Sequence, residues 1–95
     1  MPKAYWIAHI DVHDPETYKM YIETAKPAFE RHGAKFLARG GRVQPLEGSV
    51  RARNVLIEFA SMDEALACYK SPEYTKAMEY RRKASTGEFL LVEGL

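Results

Sequence analysis

The chain has 95 residues, with 14 Lys plus Arg against 13 Asp plus Glu and a formal net charge of +1. Near-neutrality argues against a nucleic-acid binder held by excess positive charge and against a polybasic membrane anchor. A mixture of 46% hydrophobic and 28% charged residues is that of a globular chain rather than a disordered one. At this length one domain spanning residues 1–95 is expected, and so short a chain leaves enough apolar surface exposed that self-association is expected to complete its core.

Cys68 is the sole cysteine, so an intrachain disulfide and a multi-cysteine metal site are both excluded, and it reads as a small buried hydrophobe on a helical face. The start, Pro2-Lys3-Ala4-Tyr5-Trp6, leads into no signal-length apolar run. No segment approaches the roughly 20 apolar residues of a membrane span. A cytoplasmic protein is the expectation.

Residues 4–12 are rich in aromatic and β-branched types and predict a strand. Asp14-Pro15 then places an N-cap residue before a proline suited to the first helical position. Tyr18, Tyr21, Ile22, Ala25, Ala28 and Phe29 recur at helical spacing, with a kink expected at Pro27 and a stop at Gly33. Residues 35–39 predict a second strand, followed by a bulge or bend at Gly40-Gly41 and an edge continuation over 42–47 that Pro45 weakens. Residues 54–60 predict the clearest strand. Ser61 with Glu64 forms a capping box for a helix through Tyr69. Ser71-Pro72 opens another to about Ala84, Gly87 breaks it, and Phe89-Leu90-Leu91-Val92 predict the last strand. The order is that of an α+β, ferredoxin-like β-α-β-β-α-β fold, with helices over one face of an antiparallel sheet.

Strand alternation sorts these residues onto two faces. Trp6, Ala8 and Ile10 join Val55, Ile57 and Phe59 under the helices, which leaves Tyr5, Ile7, His9, Leu37, Arg39, Leu56 and Glu58 on the uncovered face. Exposed apolar residues in such a group mark a partner or ligand surface, whereas Arg39 and Glu58 do not tolerate a dry interior unpaired. A second subunit laid sheet against sheet around a partly polar cavity satisfies both conditions. Arg39 and Glu58 then either form a cross-strand ion pair at the interface or contact a ligand.

The segments Ala4-Tyr5 with Ile10-Asp11, Asp14-Pro15, Phe36-Leu37-Ala38-Arg39-Gly40-Gly41, Leu46-Glu47-Gly48, Glu58-Phe59, Ser71-Pro72-Glu73-Tyr74, Arg81 and Val92-Glu93-Gly94 resemble the domain-of-unknown-function family 1330 (DUF1330), of the dimeric alpha-beta barrel superfamily. The resemblance covers almost the whole chain. It implies a ferredoxin-like subunit pairing through its sheet into a barrel-like homodimer, and a small-molecule pocket of the kind used by cofactor-free monooxygenases and isomerases of that superfamily.

Candidate site residues follow from chemistry. His9 is suited to general-base work near neutral pH, with a hydrogen-bonded interface histidine as the plainer alternative. Glu58 is a proton acceptor if its surroundings are dry. Arg39, beside Gly40-Gly41, suits a carboxylate or enolate through its planar fork. Tyr5, Tyr74, Arg81 and Ser85 complete the expected substrate-binding set, with Arg81 marked by the family pattern and Ser85 alternatively closing its helix. His13 and His32 flank helices and are expected at solvent, and the scattered histidines predict no metal site. Neither a phosphate loop, a dinucleotide fingerprint nor a nucleophile elbow occurs, so no cofactor is expected. The expected function is a homodimeric small-molecule-binding protein, with a cofactor-free monooxygenase or isomerase as the enzymatic form and a non-catalytic dimer as the alternative.

Overall fold

The computed structural model describes residues 2–95. In chain order the elements are β1 (Ala4–Val12), α1 (Pro15–Arg31), β2 (Lys35–Arg39), β3 (Arg53–Phe59), α2 (Met62–Lys70), α3 (Pro72–Ala84) and β4 (Ser85–Glu93). The strands form one sheet in the order β2-β3-β1-β4, and every neighbouring pair is antiparallel. This is the ferredoxin-like order expected, with the second helix split in two at Ser71.

Each helix start is explained by its cap. The Asp14 carboxylate accepts from Thr17 N at 3.2 Å and from Thr17 Oγ1 at 2.7 Å, with Pro15 at the first helical position. Ser61 Oγ accepts from Glu64 N and Ser71 Oγ from Tyr74 N, so both α2 and α3 begin where their serines stand. Helix α1 runs through Pro27 to Arg31, and Gly33 at φ +68° turns the chain toward β2, a conformation that glycine adopts without strain.

The core lies between the helices and one sheet face. Trp6 is its hub: its ring lies 5.0 Å from Tyr74, 5.3 Å from Phe29, 5.6 Å from Tyr69 and 6.0 Å from Phe59, mostly edge to face. Cys68 is fully buried, and its Sγ lies 3.7 Å from Ala28 O; burial pushes the thiol up to about 12. It packs as a small hydrophobe.

Three local expectations are corrected. Residues 42–47 form no edge strand: after β2 the chain runs irregularly to Arg53, with residues 40–50 exposed, because Pro45 has no N–H for a ladder. Gly87 does not separate α3 from the last strand, since β4 begins at Ser85 directly after α3 and Gly87 pairs with Ile10 inside the sheet. The Ala84 carbonyl accepts from both His13 N and Asp14 N, which ties the end of α3 to the end of β1 and leaves no room for a loop. Finally, His32 is not at solvent: its Nδ1 is bonded to Glu64 Oε1 at 3.0 Å and its side chain is only 14% exposed.

The irregular segment is anchored at its far end. Arg51 bridges Asp11 of β1 at 2.7 Å and Glu88 of β4 at 2.6 Å, and Asp11 also accepts from Ala52 N. The Ala52 amide and Arg51 hold Asp11 below the usual carboxylate range, and Arg51 does the same for Glu88. Carboxyls depressed in the folded state stabilise it above their unfolded pKa, and that contribution is lost as pH falls through the folded values. Arg51→Gln is therefore expected to lower Tm at pH 7 by an amount that shrinks toward zero as pH falls through about 4 and below. A deficit independent of pH in thermal melts would show that Arg51 acts by packing instead.

Candidate functional site

The two sheet faces carry different chemistry. On the face without helices, Tyr5 stands between Glu58 and Val92, Ile7 between Leu56 and Leu90, and His9 between Asn54 and Glu88, as the strand registers require. His9 Nδ1 donates to Asn54 Oδ1 at 2.7 Å, while Asn54 Nδ2 donates to the Arg51 carbonyl. Glu58 sits 3.4 Å from Lys3 Nζ and opposite Lys35. Tyr5, His9 and Glu58 therefore share the open face as the alternation predicts, half-buried within the subunit.

Arg39 does not join them. The register of β2 against β3 slips between Phe36 and Ala38, so that Phe36 faces Ile57, Ala38 faces Leu56 and Arg39 faces Val55. A bulge adds one residue and returns the following side chain to the face of the residue before it. Arg39 thus lies on the helix side with its guanidinium 4.6 Å from the Phe36 ring. The expected cross-strand pair with Glu58 does not form within the subunit, because a sheet now stands between the two side chains.

On that helix side, between α1 and the sheet, is a cavity of about 490 Å³. Trp6, Tyr18, Tyr21, Phe29, Phe36 and Phe89 line it, and the exposed members of its wall, Ile22, Lys26, Glu30 and Arg39, mark the mouth. Behind the wall runs a polar chain. Arg81, 6% exposed, lies 3.8 Å over the Phe89 ring and donates through Nη1 to Tyr74 Oη at 2.6 Å. Tyr74 Oη lies 2.9 Å from Tyr21 Oη. With the Arg81 proton already on its oxygen, Tyr74 can donate to Tyr21, which frees the Tyr21 hydroxyl to donate into the cavity. Burial pushes Tyr74 up to about 12 and Tyr21 well above the usual phenol value, so both remain neutral donors at physiological pH. Ser85 has a different role: its hydroxyl donates to the Arg81 carbonyl at 2.7 Å and closes α3.

Arg53, which the sequence reading did not single out, also lines the cavity. Its guanidinium lies 5.5 Å from the Tyr18 ring, and its buried Nε makes no hydrogen bond among the described residues. The signal was present in the alternation itself, because Arg53 shares the parity of Val55 and Ile57. Tyr18 and Tyr21 likewise carried the helical spacing of core residues, which does not separate packing from cavity lining.

The DUF1330 family model, a domain of unknown function, matches residues 3–95. The chain belongs to this family. Comparison with curated proteins gives no sequence match. Among solved structures, a protein of unknown function from Rhodopseudomonas palustris aligns with TM-score 0.79 and 18% identity, covering 99% of this chain and 83% of that one. The cofactor-independent oxygenase SnoaB from Streptomyces nogalater aligns with TM-score 0.70 and 14% identity over 100% of this chain and 95% of that one. A dimeric protein of unknown function with a ferredoxin-like fold from Bacteroides fragilis aligns with TM-score 0.56 and 13% identity over 97% of this chain and 96% of that one. These identities establish the shared fold of this DUF1330 chain and leave its chemistry to the site. No helix among the described residues is long and apolar enough to cross a membrane.

Proposed function

We propose that this DUF1330 chain is one half of a homodimer and binds a small aromatic or carbonyl compound in the cavity between α1 and the sheet. Two observations support the dimer: Ile7, Leu56, Leu90 and Val92 form an apolar strip that no helix covers, and one structural relative is described as dimeric. The observation that carries the ligand reading is the cavity itself, large enough for a small polycyclic or carbonyl molecule and walled by six aromatic rings.

The chemistry this wall suits is stabilisation of an oxyanion formed when an acidic substrate loses a proton. Tyr21, backed by Tyr74 and Arg81, supplies the donor, and Arg39 adds a positive charge at the mouth. An anion so formed reacts with dioxygen without a cofactor, as the oxygenase relative's description suggests, or takes its proton back at another carbon, which is isomerisation. His9 and Glu58 line the opposite face, and Glu30 at the mouth is the one carboxylate among the described wall residues. That distribution favours a substrate acidic enough to ionise without a dedicated base. It equally suits the non-catalytic alternative, a dimer that binds and does not react.

Trp6 is the sole tryptophan and lies on the cavity wall, so its fluorescence reports occupancy. A panel of phenols and 1,3-dicarbonyl compounds is expected to contain members that quench it and raise Tm by mass action. Oxygen uptake or product isomerisation with those members then separates enzyme from binder. If no member moves either signal, the ligand reading fails.

A further inference from the structure

We infer that Arg39 and Arg53 together form a carboxylate-reading site, so that the compound taken up by the cavity is an aromatic carboxylic acid. The inference rests on the reading of the cavity as the ligand site and names the class of ligand. Arg39 stands opposite Val55, and Arg53 lies two residues along β3 on the same face, which makes the two arginines diagonal neighbours across the β2–β3 pair. Both line the one cavity. The slip at Leu37 is what brings them together, since without it Arg39 would project from the other face of the sheet.

Among the described residues neither guanidinium has a carboxylate partner. Arg31 and Arg51 do have one: Arg31 binds Glu73, and Arg51 binds Asp11 and Glu88. Glu30, on the same cavity wall, pairs with neither Arg39 nor Arg53 among the described residues, and Lys26 beside it adds a further positive charge. Two adjacent cations repel each other, and the buried Arg53 Nε makes no hydrogen bond among the described residues. A group that answers both arginines at once must be anionic and accept more than one hydrogen bond.

The backbone makes room for this arrangement. Gly40, at φ +68°, lies against the Arg53 guanidinium, where a β-carbon would approach Nη1 to 2.6 Å. A side chain there would displace the guanidinium from its place beside Tyr18. The aromatic stacking surfaces, Phe36 under Arg39 and Tyr18 beside Arg53, also keep both forks oriented. A ring bound among Trp6, Tyr21 and Phe29 with its carboxylate toward the mouth satisfies the apolar wall and the two arginines together.

The test uses the indole N–H resonance of Trp6 in NMR titrations of the full chain with 2-naphthoate and its neutral isostere 2-naphthamide. Naphthoate is expected to bind roughly 10- to 100-fold tighter than the amide. Arg39→Gln and Arg53→Gln are expected to bring the acid down to the affinity of the amide, while the dispersed amide resonances of the wild type persist and show that the variants still fold. Equal binding of acid and amide to the wild type would overturn the carboxylate site while the cavity reading stands. Absence of binding by both would overturn the two together. Tighter binding of 2-naphthyl phosphate than of naphthoate would overturn the carboxylate assignment in favour of phosphate esters.

Discussion

Replacing Trp6 with Ala is expected to destabilise the protein by about 3–5 kcal/mol, the cost of emptying a large aromatic site in a core. For a chain of this size that corresponds to a fall in Tm of roughly 15–30 °C, measured by circular dichroism because the variant has lost its only tryptophan. The reason is position rather than size alone. Trp6 is 2% exposed and meets one ring from α1, one from β3, one from α2 and one from α3, so its loss loosens every layer of the fold at once. Trp6→Phe keeps one ring in the hub and is expected to cost markedly less. A Trp6→Ala loss below about 1 kcal/mol would mean that these rings do not form the structural centre.

Gly87→Ala is expected to be the most damaging single-methyl change, at about 3 kcal/mol. A β-carbon at Gly87 would land on the His9 carbonyl oxygen, with the Ile10 Cα only 3.2 Å away, and both are backbone atoms of the central strand that cannot swing aside. The β1–β4 ladder would have to part there, and with it the position of Phe89, on which Arg81 rests. Ligand affinity is therefore expected to fall along with stability. Gly41→Ala is the control: nothing lies within 4 Å of its added carbon, and a change within about 0.5 kcal/mol is expected. Equal effects of the two substitutions in chemical denaturation would show that the tight β1–β4 approach is not what Gly87 serves.

The same glycine shows where sequence reading reaches its limit. A glycine following a helix reads as a stop, whereas its actual constraint is the backbone of a strand more than seventy residues earlier, which no local pattern reveals. The caps at Asp14, Ser61 and Ser71 were legible because a cap is a contact between residues three apart. The helix-side parity of Trp6, Ala8, Ile10, Val55, Ile57 and Phe59 was legible because alternation is a property of one strand at a time.

The candidate site divides in the same way. Placement of Tyr5, His9 and Glu58 on the uncovered face followed from alternation and holds in the structure. The same rule assigns Arg39 to that face, and it lies on the other, because a one-residue slip inside β2 reverses parity. Gly40-Gly41 signalled irregularity nearby but three residues after the slip at Leu37. Tyr74 and Arg81 were recognisable as a pair on one helix face. That their hydroxyl and guanidinium connect to Tyr21, on a helix far away in sequence, depends on how α1 and α3 pack.

By itself, then, the sequence determined the order of the helices and strands and which apolar stripe of α1, β1 and β3 is buried, since capping, periodicity and strand alternation act over three or four residues. Only the tertiary structure decided where charge meets the cavity. The slip between β2 and β3 is set by pairing across the sheet, and it moves Arg39 from the face of Glu58 to a place beside Arg53, over the aromatic wall that the helices close.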